Sequence, residues 1–119
     1  MLLSMEIELL QSKLSSFADV RGWKKFHSPK NLAMAISAEA GELLQLFQWL
    51  TQSESVAILS GSKKNTVREE VADIAIYLLQ FCSVAEINLS DAVNEKIALN
   101  DQKYPVNLSK GNAMKYKDL

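Results

Sequence analysis

The chain has 119 residues, of which 48% are hydrophobic and 23% charged, and its formal net charge is −1. This length supports one modest hydrophobic core, and this composition argues against wholesale disorder. The near-neutral charge provides no basic field for a nucleic-acid polymer, so we expect no such partner. The single cysteine, Cys82, cannot form an internal disulfide, and no apolar run approaches the ~20 residues of a membrane span. We therefore expect a cytoplasmic protein with no membrane partner.

Apolar residues recur with helical spacing, and only four glycines and two prolines interrupt them. This pattern predicts an all-α fold, a four-helix bundle, over a single domain at 1–119. The first helix is predicted for 4–20, with Gly22 at its C-terminal cap. Ser28 followed by Pro29 predicts the start of a second helix that reaches about Leu50.

The second half of the chain is predicted to continue in the same way. A short helical turn at 54–59 and a polar loop at 61–65 precede a third helix at 66–85. Ser90 is predicted to cap a fourth helix that ends before Pro105, because proline cannot continue a helix. Residues from about 105 to 119 are predicted to form an irregular basic tail.

Two of these helices each carry a pair of acids beside an apolar stripe. Glu39 falls inside the stripe of the second helix with Glu42 one turn on, and Glu70 and Asp73 border the stripe of the third. Taking a carboxylate out of water costs several kcal/mol unless a cation compensates it. One such pair alone is common on solvated helices, but the doubled pair with an acid on an apolar face is rarer. The pattern indicates a divalent cation held by oxygen ligands, and magnesium is the expected ion.

A di-iron carboxylate site would use similar parts, but it needs Glu-x-x-His motifs on two helices. His27 is the only histidine and follows no glutamate at that spacing.

Cationic and amide side chains lie on one face of the fourth helix at Lys96, Asn100 and Lys103, where they could reach phosphates. Lys110 in the tail is open to two interpretations, a solvated basic end or a phosphate contact.

Aromatic side chains are predicted near both acid pairs. Trp49 is predicted two turns past Glu42 on the same flank of the second helix, and Tyr77 lies one turn past Asp73. Flat side chains beside a metal site suit a stacked nucleobase, although these residues and Trp23 could equally be ordinary core or interface aromatics.

The pattern Glu39-Ala-Gly-Glu42 followed by Glu70-Val-Ala-Asp73 resembles the signature of MazG-like all-α nucleoside triphosphate pyrophosphohydrolases. The stretch from Trp23 to Trp49 is similar to the dCTP pyrophosphatase branch of that family. So are Lys103-Tyr104-Pro105-Val106 and the Ser109-Lys110-Gly111 that follows.

This resemblance implies Mg²⁺-dependent hydrolysis of (deoxy)nucleoside triphosphates, with dCTP or a modified dCTP as substrate. The products would be a nucleoside monophosphate and pyrophosphate. The biological role would be control of the nucleotide pool, and Mn²⁺ could substitute for Mg²⁺. The resemblance implies that the four acids bind the metal, and we expect one of them, Glu42, to serve as general base. The substrate-binding residues that it implies are Trp23, His27, Asn31, Trp49, Tyr77, Lys96, Asn100, Lys103, Tyr104 and Lys110.

A pocket at a subunit junction is expected because one small bundle has little room for a nucleotide once its core is filled. The resemblance agrees with a homodimer or homotetramer. The alternative function is a non-catalytic nucleotide-binding or helical assembly module, and the intact acids argue against it.

Overall fold

The computed structural model describes residues 2–119, with side chains from Met5 onward, and the described residues form helices and no strand. The all-α prediction is confirmed. The helices are α1 (Leu2–Val20), α2 (Pro29–Gln45), α3 (Gln52–Ala57), α4 (Lys64–Ala85), α5 (Leu89–Lys103) and α6 (Val106–Ser109). Short 3₁₀ turns lie at Lys24–Phe26, Ile58–Ser60 and Tyr116–Asp118.

The end of α1 and the start of α2 follow the predicted signals. Gly22 adopts a left-handed φ of 65° and its N–H donates to Asp19 O at 3.0 Å, while the next N–H donates to Ala18 O at 2.9 Å. These two bonds satisfy carbonyls that the helix leaves open, and glycine adopts this φ without a steric penalty. Ser28 caps α2 by accepting the Asn31 N–H on its hydroxyl at 3.2 Å, with Pro29 as the first helical residue.

The predicted extension of α2 to Leu50 is wrong, because the helix ends at Gln45. The following residues form tight turns, in which the Phe47 N–H donates to Leu44 O at 2.9 Å. Thr51 is extended and forms a capping box with Glu54, whose carboxylate accepts the Thr51 N–H at 2.9 Å. A new helix therefore starts where the apolar pattern alone predicts the old one to finish.

The other corrections are smaller. The N-cap of α5 is Asn88 rather than Ser90, and its side chain accepts the Asp91 N–H at 3.0 Å. Helix α4 ends at Ala85, and its C-cap residue Glu86 is left-handed with φ 54°. Helix α4 itself starts at Lys64, two residues before the predicted start. The segment from 105 onward is not irregular throughout, since it contains α6 and one 3₁₀ turn.

The chain divides into two compact units, of which the first ends at Ile87 and the second is Asn88–Leu119. In the first unit α4 packs against α1 and, over a longer stretch, against α2. Burying a leucine such as Leu32, which is 1% exposed, stabilises the fold by ~1.5–3 kcal/mol. The buried hydrophobic residues are Ala18, Leu32, Val67, Leu79 and Cys82.

In the second unit the rings of Tyr104 and Tyr116 meet edge to face at 6.2 Å, and Lys103 Nζ lies 4.8 Å from the Tyr116 ring centre. The single-domain and four-helix-bundle predictions stay predictions. Across the described part of the chain, every helix is too short or too polar to cross a membrane.

Candidate metal and nucleotide site

The packing of α2 on α4 brings carboxylates together from both helices. Oxygen atoms of Glu39 on α2 and of Glu70 and Asp73 on α4 all lie within 4.8 Å of one another. All three side chains are partly buried. Because residues three apart share a helix face, Glu70 and Asp73 turn toward the same facing position of α2.

Glu42 completes the group, although its side chain is exposed. It is close enough to form hydrogen bonds with the carboxyl groups of both Glu39 and Glu70. Three of the four predicted acids therefore converge and Glu42 lies beside them, and we call Glu39, Glu42, Glu70 and Asp73 the acid cluster.

The acid cluster is electrostatically strained. The pKa of Glu39 is raised from 4.5 to about 7, first because the protonated group donates a hydrogen bond to Glu42, then because of burial and the neighbouring charges. The pKa of Glu70 is also raised, with burial as the largest cause and the hydrogen bond with Glu42 next. Like charges this close favour protonation unless a cation compensates them.

Two oxygens of the acid cluster have no partner. Glu39 Oε2 and Glu70 Oε2 are shielded from solvent and accept no hydrogen bond from any described donor. Among the described side chains, none of the lysines or arginines forms an ion pair with the cluster. Carboxylates at ligand spacing on two helices, two of which have an unpaired oxygen, fit a hard divalent cation, which neutralises their charge.

A cavity of about 400 Å³ opens beside the acid cluster within the first unit. Glu39 and Asp73 line it together with three of the predicted aromatic residues, Trp23, His27 and Tyr77. Phe17 also lines it and packs edge to face on Trp23 at 5.7 Å between ring centres. We call Phe17, Trp23, His27 and Tyr77 the aromatic lining.

Two other predicted substrate residues lie elsewhere. Trp49 is 86% exposed and follows the end of α2, so the predicted position on the same helix flank as Glu42 is wrong. Asn31 does not line this cavity and instead donates from Nδ2 to Phe26 O at 3.0 Å. This bond ties the 3₁₀ turn before α2 to the first turn of that helix.

The predicted phosphate contacts belong to the second unit. The side chains of Lys96, Asn100 and Lys103 are exposed on α5, and Lys103 stacks on Tyr116 as described above. Tyr104 follows α5 directly, and Lys110 follows α6. The roles of these residues toward a nucleotide stay predictions.

Phe17 and Gln80 are cavity residues that the sequence analysis missed. Gln80 follows Tyr77 by three residues and Asp73 by seven, so helical spacing alone places it on the same face. Phe17 lies on α1, and nothing in the sequence links α1 to the acids.

Comparisons with known proteins identify the family of the chain. The family model described as MazG-like matches residues 34–119, which include the whole acid cluster. The chain belongs to the MazG-like family. The crystal structure of a pyrophosphatase from Archaeoglobus fulgidus is 48% identical in sequence to this MazG-like protein and superimposes with a TM-score of 0.80. That match covers 84% of this chain and 93% of the archaeal one.

Curated relatives of this chain are also named as pyrophosphatases. The protein dCTP pyrophosphatase 1 of Mus musculus is 40% identical over 106 residues, and that of Homo sapiens is 36% identical over 106 residues. Each alignment covers 88% of this MazG-like chain but 62% of the relative. The chain thus spans less than two thirds of the length of these relatives.

Proposed function

We propose that this MazG-like protein is a Mg²⁺-dependent nucleoside triphosphate pyrophosphohydrolase whose preferred substrate is dCTP or a base-modified relative. The observation that carries the proposal is the acid cluster, with two unpaired carboxylate oxygens, beside a cavity with an aromatic lining. The names of the archaeal and mammalian relatives support the pyrophosphohydrolase reaction and the cytidine nucleotide.

Glu39, Glu70 and Asp73 would hold the metal, with Glu42 at its edge. Bound Mg²⁺, or Mn²⁺ in its place, would neutralise phosphate charge and lower the pKa of the attacking water. The oxygen of that water forms a bond to the α-phosphorus while the bond to the α,β-bridging oxygen breaks, so pyrophosphate leaves and a nucleoside monophosphate remains.

Glu42 is our candidate for the general base. Its side chain is exposed and lies outside the three carboxylates whose ligand atoms converge, so it is the acid least committed to a metal. From that position its carboxylate can accept the proton of the attacking water. Glu39 and Glu70, each with a shielded oxygen, are better placed to bind than to exchange protons with solvent.

The aromatic lining would hold the nucleoside. Tyr77 follows Asp73 by one helical turn, so a base stacked on its ring stays connected to phosphates at the acid cluster. Trp23 is held by its edge contact with Phe17, which limits the motion of the stacking surface. Stacking accepts any base, so we expect a graded preference for dCTP, about ten- to two-hundredfold in kcat/KM.

We further propose a cytoplasmic homodimer or homotetramer. Large apolar side chains of the first unit are exposed on several helices, including Met5 on α1, Met34 on α2 and Val71 on α4. Apolar surface on this scale is typical of a face that a second subunit covers. Light scattering at micromolar concentration should give a mass at least twice that of one chain, and a monomer would contradict this part of the proposal.

Product analysis tests the reaction itself. The purified protein is incubated with Mg²⁺ and each of dCTP, dTTP, dATP, dGTP and CTP, and pyrophosphate, orthophosphate and monophosphate are quantified. We expect pyrophosphate and dCMP as the initial products from dCTP, and none without divalent metal. Orthophosphate with dCDP as the initial products would refute attack at the α-phosphorus.

A further inference from the structure

Gln80 extends the cavity wall beyond the aromatic lining. It lies seven residues after Asp73 on α4, with Tyr77 between them. Positions i, i+4 and i+7 share one helix face, so the three side chains follow one another over about 10 Å. A nucleotide with its phosphates beside Asp73 and its base on Tyr77 therefore presents the edge of that base toward Gln80.

The carboxamide of Gln80 is not satisfied within the protein. Its Oε1 atom is shielded from solvent and accepts no hydrogen bond from any described donor. The polar neighbours have their own partners, since Gln11 Nε2 and Ser83 Oγ both donate to Leu79 O, each at 3.1 Å. A buried acceptor without a donor is destabilising, and a ligand that supplies an N–H group would remove that cost.

Gln80 also stands where two cavities meet. A second cavity of about 230 Å³ adjoins the first, and Gln80 and His27 line both. The terminal torsion of a glutamine side chain is soft, so a half-turn about it exchanges the positions of Oε1 and of Nε2, which is not shielded, without moving α4. The carboxamide can therefore present its oxygen to a base bound in the cavity.

We propose that the Gln80 carboxamide oxygen accepts a hydrogen bond from the exocyclic amino group of a pyrimidine and so favours cytosine over uracil. This inference rests on the proposed function and names the residue that selects the base. Stacking cannot make that choice because every base has a π-face. Cytosine carries a donor at the position where uracil carries a carbonyl acceptor. If the amide NH₂ turned to a uracil carbonyl instead, Oε1 would remain without a donor.

The test compares dCTP with dUTP, which share sugar and triphosphate. In Gln80→Met, which keeps the side-chain length, the ratio of kcat/KM for dCTP to that for dUTP should fall about tenfold or more. The change should come mainly from a higher KM for dCTP, because the contact exists in the bound ground state. The melting temperature should be maintained or raised, since the amide oxygen has no partner to lose.

Gln11→Met is the matched control. Gln11 lines only the second cavity and donates to Leu79 O, so its loss should lower the melting temperature and leave the dCTP/dUTP ratio intact. An unchanged ratio in Gln80→Met would overturn the inference while pyrophosphate release by the wild type upholds the proposed function. An equal fall in both variants would also overturn it, because it would indicate general loosening of α1 on α4. If the wild type releases pyrophosphate from no triphosphate, the proposed function fails and this inference with it.

Discussion

The acid cluster and the aromatic lining border the same cavity, but only the acid cluster has shielded polar atoms without a partner. The acid cluster has two shielded carboxylate oxygens without partners and a Glu39 whose pKa is raised to about 7. The aromatic lining is satisfied as it stands, with Trp23 already packed on Phe17. A set of side chains that is destabilised without a ligand indicates the chemistry of the ligand that would stabilise it. A set that is stable without a ligand is compatible with many ligands. We therefore expect the acid cluster to determine the chemistry and the aromatic lining to adjust affinity.

The largest expected effect comes from removing an acid. Replacing Glu39, Glu70 or Asp73 by alanine should lower kcat by about a hundredfold or more, because each change removes a proposed ligand of the metal that would stabilise the transition state. Steady-state kinetics with dCTP and Mg²⁺ measure this. Glu69→Ala is the control, since Glu69 is exposed and accepts a hydrogen bond only from Asn65 Nδ2, at 3.2 Å. Near-normal rates in all three acid variants would remove the acid cluster from catalysis.

An aromatic change should have a smaller effect, on a different parameter. Tyr77→Leu should raise KM for dCTP about tenfold with little change in kcat, because a stacking contact stabilises substrate and transition state alike. Phe26→Leu is a suitable control, since Phe26 is exposed and lines neither cavity. A loss of kcat in Tyr77→Leu with unchanged KM would contradict the assignment of the aromatic lining to substrate affinity alone.

The pH dependence of the metal-free protein tests the strain in the acid cluster. Glu39 has a folded pKa of about 7 against 4.5 when unfolded, so between these values the folded state binds more protons. Its stabilising contribution is therefore complete below about pH 4.5 and is lost as pH rises through about 7. Glu39→Gln should melt near the wild-type temperature at pH 5 and above it at pH 8. A variant that melts lower than wild type at pH 8 would contradict this account of Glu39.

The smallest expected effect is on stability and comes from the end of α4, the helix that contributes to both the acid cluster and the aromatic lining. Glu86 ends α4 with a left-handed φ of 54°, a conformation that disfavours residues with a side chain. Glu86→Gly should raise the free energy of unfolding by ~0.5–1 kcal/mol and leave kcat and KM unchanged. Glu86→Ala removes the charge but keeps the Cβ atom, so it should give no such gain in denaturant titrations. Equal stabilisation by both variants would assign the effect to charge.

The sequence was most informative where one local signal acted alone. Gly22 and Ser28 set the end of α1 and the start of α2 by short-range hydrogen bonds, and both were predicted. The acid cluster was predictable because helical spacing places Glu39 on an apolar face, where a carboxylate needs an explanation. Its convergence still depended on α2 packing against α4, which spacing within one helix cannot determine.

Prediction failed where two signals competed or where packing decided. The apolar pattern continues through Phe47 to Leu50, but the capping box at Thr51 starts a new helix and leaves Trp49 exposed. From the sequence, Gln80 resembles any polar residue at the edge of an apolar stripe, and only the folded structure shows that its oxygen is shielded. The burial of a single atom by tertiary packing cannot be predicted from a sequence pattern.

Metal binding by the metal-free protein tests the central claim most directly. Mn²⁺ is titrated at pH 8 and at pH 6 into the wild type and into the double variant Glu39→Gln, Glu70→Gln, with free Mn²⁺ measured by electron paramagnetic resonance. The account predicts saturable binding by the wild type that is weaker at pH 6, because Glu39 must release its proton, and about tenfold or more weaker in the double variant. Equal affinity in both proteins, or no dependence on pH, would contradict a metal site built on the acid cluster.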